Sequence, residues 1–103
     1  MGYMFKDAQI FNKDISNWDV SKVTNMGHMF YYAYKFNQDI SRWNVSEVKF
    51  MDHMFLLASD FNSDISNWNV SKVTNMMNMF SSATSFDQNL SKWERTSPTV
   101  STV

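Results

Sequence analysis

The residues whose types could do chemistry come in rows. Asp14, Asp39, Asp64 and Asn89 stand 25 residues apart, and Asn12, Asn37, Asn62 and Asp87 form a parallel row two residues earlier. Side-chain oxygens arranged this way are what calcium prefers. The glycine-rich turns of calcium-binding repeats are missing, however, and Asp and Asn at a turn commonly accept the backbone amides of that turn. The second reading is therefore expected. His28 and His53 are also 25 residues apart and could supply two metal ligands, with Tyr3 and Asn78 in the same register. No third His and no Cys completes a coordination shell, so both are expected to be solvated helix residues, with no metal and no cofactor. The sequence contains no nucleophile, base and acid set and no phosphate-cradling glycine loop, so the chain is not expected to be an enzyme.

The elements that must position these rows follow from the same period. Met4-Phe5, Met29-Phe30, Met54-Phe55 and Met79-Phe80 align without a gap. So do Ala8, Ala33, Ala58 and Ala83, then Phe11, Phe36, Phe61 and Phe86, then Ile15, Ile40, Ile65 and Leu90, and then Trp18, Trp43, Trp68 and Trp93. A fixed period in the range of 20 to 50 residues marks an array of stacked units. Val23, Met26, Met29, Phe30, Ala33 and Phe36 have the three-and-four spacing of one helix face, which predicts a helix from about Thr24 to Tyr34. Trp43 and Val45 alternate with Asn44 and predict a strand of three or four residues. Ile65, Trp68, Val70 and Val73 have the spacing of a leucine-rich-repeat core. The expected fold is an α/β repeat solenoid, leucine-rich-repeat-like, with one short parallel strand and one helix in each of about four units. These units run at about 4–28, 29–53, 54–78 and, partially, 79–95, a single domain over 1–95, with a flexible tail over 96–103. The methionines at 26, 29, 51, 54, 76 and 79 and the tryptophans lie on the buried stripe and are expected to be core.

Composition excludes some partners. Nine Lys plus Arg against ten Asp plus Glu gives a net charge of −1, with no basic run to neutralise phosphates, so nucleic acid is not an expected partner. No stretch approaches the ~18 consecutive apolar residues of a membrane span. The chain has no cysteine, which leaves the redox compartment open.

The segment 61–76, FNSDISNWNVSKVTNM, recurs in other units, for example as FNQDISRWNV at 36–45. It closely resembles the repeat of the BspA-like surface proteins, a unit also known as a mycoplasma-type domain of unknown function. The resemblance covers about residues 1 to 94. It implies a large bacterial surface protein or lipoprotein, with an extracellular binding role and a location at the cell surface or in secreted form. Neither a leader nor a lipid-acceptor Cys is present, so the chain is expected to be an excised fragment or to differ in location.

Binding surfaces are expected where the units differ, because the shared frame is consumed by the core. On the predicted strand face Arg42, Asn44 and Asn69 present a polar surface of low charge, suited to a protein or glycan ligand. On the predicted helix face one pair of positions reads Lys6-Asp7, Tyr31-Tyr32, Leu56-Leu57 and Ser81-Ser82, and the two middle units are apolar there. Tyr31 and Leu56 are expected to point outward, with Tyr32, Tyr34 and Leu57 beside them, a patch for self-association or a partner. Phe5, Phe11, Leu90 and Trp93 keep the outermost units apolar, so end-to-end stacking of two chains is a second route to assembly. The function expected is a non-enzymatic protein-interaction or adhesion module, the alternative a structural spacer or variable antigenic array without a specific ligand.

Overall fold

The computed structural model describes residues 1–95, and its regular secondary structure overturns the expected fold. Among the described residues there is one 3-10 helix, Ser91–Arg95, and two isolated parallel bridges, Asn25 with Phe50 and Phe50 with Asn75. The helix predicted at Thr24 to Tyr34 and the strand predicted around Trp43 to Val45 are absent, and no sheet forms. The protein is therefore not a leucine-rich-repeat-like α/β solenoid. Instead, each 25-residue unit is a succession of tight turns, and equivalent residues of neighbouring units meet.

The reason lies in where the backbone amides bond. An α-helix sends every N–H back four residues along its own chain, with φ negative throughout. From Met26 to Ala33 only alternate amides turn back, and only by three residues: Met29 to Met26 (3.2 Å), Tyr31 to His28 (3.3 Å) and Ala33 to Phe30 (3.0 Å). The amides between them donate to the next unit, Met26 to Phe50 (2.8 Å), His28 to Asp52 (2.9 Å), Phe30 to Met54 (2.8 Å) and Tyr32 to Leu56 (2.9 Å). The alternation requires a left-handed residue at two places in each unit: His28 and Tyr32 have φ of 59° and 62°, and His53 and Leu57 follow at 56° and 61°. Such a φ costs a non-glycine residue about 1–2 kcal/mol, which the inter-unit bonds and packing must offset. Three-residue turns reproduce the apolar spacing of a helix face, which is why the pattern misleads.

The predicted strand fails for a related reason. Trp43 and Val48 each close a turn, donating to Ile40 (3.1 Å) and Val45 (3.0 Å). The contact between units here is made by side chains. Each buried indole donates to the isoleucine carbonyl of the preceding unit: Trp43 to Ile15 (3.1 Å), Trp68 to Ile40 (3.0 Å) and Trp93 to Ile65 (3.3 Å). A buried indole N–H without a partner would cost about 1–3 kcal/mol.

The core consists of aromatic rows running through the units. Phe30 stacks on Phe55 (5.4 Å), Phe36 on Phe61 (6.0 Å), Trp43 on Trp68 (6.5 Å) and Trp68 on Trp93 (6.4 Å), while Phe30 and Phe36 are 4.0 Å apart within their unit. Met26, Met29, Met51, Met54, Met76 and Met79 fill the space beside them, all fully buried. Trp18 departs from the expected core set and is 41% exposed. No helix of the described residues is long and apolar enough to cross a membrane. The tail expected at 96–103 lies outside the described residues.

Candidate functional site

Three surfaces bring together the residues that the sequence singles out. The first is the apolar patch. Tyr31, Tyr32 and Tyr34 are half-buried and meet edge to face, Tyr31 with Tyr32 at 4.3 Å and Tyr32 with Tyr34 at 5.9 Å. A hydrogen bond with Tyr32 raises the Tyr31 hydroxyl above its ordinary range, and the Lys6 ammonium lies over the Tyr31 ring at 5.7 Å. Leu56 and Leu57 are half-buried in the next unit, where Leu56 accepts the amide of Tyr32. Since no helix is present, the outward and border positions of a helical projection do not apply. The left-handed φ at Tyr32 and Leu57 sets their direction instead.

The second surface is polar. Arg42, Asn44 and Asn69 are exposed, but the Asn44 and Asn69 side chains are engaged in turns, accepting the amides of Ser46 (3.0 Å) and Ser71 (3.1 Å). The acidic row does the same one turn earlier: Asp14, Asp39, Asp64 and Asn89 accept the amides of Ser16, Ser41, Ser66 and Ser91 at 2.9 to 3.0 Å. The serine hydroxyl first, and then the amide, hold each of the three carboxyls below its ordinary value. In the neighbouring row Asn12 accepts the amide of Asn37 (2.9 Å), Asn37 that of Asn62 (2.8 Å) and Asn62 that of Asp87 (2.8 Å). These rows hold turns and join units. Between them lies a groove of about 430 Å³ lined by residues that include Gln38, Asp39, Asn62 and Asp64.

The third surface breaks the repeat. His28 and His53 are stacked at 4.6 Å and inclined by 15°, and Tyr3 stacks on the other face of His28 at 4.6 Å. One carboxylate oxygen of Asp52, Oδ2, lies 3.6 Å from Nδ1 of both histidines, too far for a hydrogen bond. Nδ1 of His53 is buried with no hydrogen-bond partner. Burial, and then the neighbouring His53, lower the His28 pKa, while Asp52 opposes them. The three side chains are partly buried, and their ligand atoms lie within 4.8 Å of one another. They could hold a metal ion. Beside them is a cavity of about 230 Å³ lined by Tyr3, Asn25, Gly27, His28, Phe50 and Asp52.

Two things bring the histidines and Asp52 together. Both histidines occupy left-handed turn positions, a conformation His tolerates better than most residues. Gly27 makes room for the acid, since a Cβ there would lie 2.9 Å from Asp52 Oδ1. The expectation of solvated helix histidines is thus corrected: there is no helix, and the rings are partly buried and stacked. Sequence reasoning missed Asp52 because its register is filled by Gly2, Gly27 and Met77 elsewhere, so it belongs to no row. The adjacent pair Asp52-His53 was the signal available.

No curated protein and no solved structure matches the chain. A family profile described as "Mycoplasma protein of unknown function, DUF285" matches residues 1–102, and the chain belongs to that family.

Proposed function

We propose that this chain is a non-enzymatic interaction module of a bacterial cell-surface repeat protein of the BspA-like kind, working outside the cell. The observation that carries the reading is the apolar patch. Most shared apolar positions of the repeat go into the core, whereas Tyr31, Tyr32, Tyr34, Leu56 and Leu57 differ between units and stay half-exposed on one surface. Large rigid aromatic side chains bring contact area at a low cost in conformational entropy and are favoured at protein interfaces. The occupant is a protein, either a second copy of this chain or a partner. The segment at 61–76 supports the surface-protein assignment.

The test is solution mass by light scattering over a concentration series, together with binding of the labelled chain to immobilised extracellular proteins and glycans. If the patch is the interface, Leu56→Asp dissolves any oligomer and abolishes binding. Binding that survives Leu56→Asp but is lost when Arg42, Asn44 and Asn69 are changed to Glu moves the interface to the polar face. A monomer that binds nothing overturns the module reading in favour of a spacer or variable array. The capping bonds of Asn44 and Asn69 favour that second reading for the polar face, because those side chains are already committed.

A further inference from the structure

We propose that His28, Asp52 and His53 form a site for a divalent transition-metal ion of the zinc class, clamped between the first and second units.

Geometry carries the argument. Zinc bonds to imidazole nitrogen and carboxylate oxygen at about 2.0–2.2 Å, so tetrahedral donors stand about 3.4 Å apart. Asp52 Oδ2 is 3.6 Å from Nδ1 of His28 and 3.6 Å from Nδ1 of His53. All three donors fit within 4.8 Å, and rotating the two imidazoles out of their near-parallel stack turns their in-plane lone pairs onto one ion. At these separations the carboxylate makes no hydrogen bond to either ring.

The buried Nδ1 of His53 is an independent sign. A buried polar atom without a partner costs about 1–3 kcal/mol, and here it faces a carboxylate oxygen. With neutral rings that carry their proton on Nε2, electron pairs confront one another across the gap, and a cation between them removes the conflict; a proton on Nδ1 would still form no hydrogen bond at 3.6 Å. A proton on each ring serves less well, because two imidazolium rings stacked at 4.6 Å would repel. Two nitrogen donors with one carboxylate suit zinc or a neighbouring transition ion better than calcium, which takes six to eight oxygens. The cavity between Tyr3 and Phe50 gives the ion room for a water or an outside ligand.

An ion here would add a link between units that already meet through backbone bonds, side-chain hydrogen bonds and packing, so binding should be coupled to stability. The test is a titration of the whole chain with zinc chloride, followed by calorimetry, thermal melting and the imidazole proton resonances. These are the only two histidines in the sequence, so the resonances report the site directly in the unaltered chain. The expected result is saturable one-to-one binding that is reversed by a chelator, shifts both histidine resonances and raises the Tm. Asp52→Asn and His53→Gln should each weaken binding at least tenfold while leaving the zinc-free melt cooperative. Failure of zinc to move the resonances overturns the site even if the variants misfold. Undiminished binding in Asp52→Asn, or a response to calcium but not to zinc, overturns it as well.

Discussion

Asp64 and Asp52 lie twelve residues apart along the chain and put one functional group to opposite uses. Asp64 belongs to a row, and its oxygen accepts the Ser66 amide at 3.0 Å. Asp52 belongs to no row, and its oxygen faces two imidazoles at 3.6 Å without a hydrogen bond. The repeated acid is consumed by the turn that every unit must make. The acid that interrupts the repeat caps no turn, and its side chain faces the two histidines instead. In a repeated sequence, the deviations are thus the better guide to function.

The frame that both acids share should show the largest effect. Phe55 is fully buried between Phe30 and Phe80, so Phe55→Ala is expected to cost about 3–5 kcal/mol in urea unfolding. The half-buried Phe5→Ala should cost clearly less. Gly27→Ala comes next. Its Cβ would crowd Asp52 Oδ1 at 2.9 Å and Asn25 Oδ1 at 3.2 Å, so the Tm should fall by an amount equivalent to about 1–3 kcal/mol. Asp52→Ala in the same chain should recover part of that loss, which a double-mutant cycle would measure as coupling. No coupling would mean that the glycine is not there to admit the acid.

Smaller effects separate the two acids. Asp64→Ala is expected to lower the Tm by uncapping its turn, while Asp64→Asn keeps the cap, as Asn89 does in the fourth unit. Acid should tell the same story. The carboxyls of Asp14, Asp39 and Asp64 titrate below their unfolded value of about 4, so they bind fewer protons in the folded state. Their stabilisation is complete above that value and is lost as pH falls through the folded one. Melting curves from pH 6 to pH 2 should therefore show a loss that is shallower for Asp64→Asn. Smallest of all is Asp52→Met, which copies Met77 of the third unit. It removes no hydrogen bond and should change stability by less than about 1 kcal/mol. A large loss there would give Asp52 a structural duty and dissolve the contrast.

Much of the packing was legible in the sequence. The three-and-four spacing from Val23 to Phe36 correctly marks Met26, Met29, Phe30, Ala33 and Phe36 as buried. The turn chemistry of the Asp14 row could be read as well, because Asp followed two residues later by Ser is a local motif that needs no distant partner. Secondary structure could not. A helix and a chain of three-residue turns place the same side chains inward, and the two differ in whether the amides of Met26, His28 and Phe30 bond within their own unit or to the next, and in the left-handed φ that this requires at His28 and Tyr32.

The sequence by itself determined the 25-residue register, the buried set and the capped turns, because these depend on side-chain type and on neighbours a few residues away. The tertiary structure alone decided the direction of the backbone bonds, and with it the left-handed turns that stack His28 on His53 and set Asp52 between their nitrogens. The physical reason is that a backbone amide looks the same in every residue, so nothing local says which carbonyl it will meet until the units are stacked.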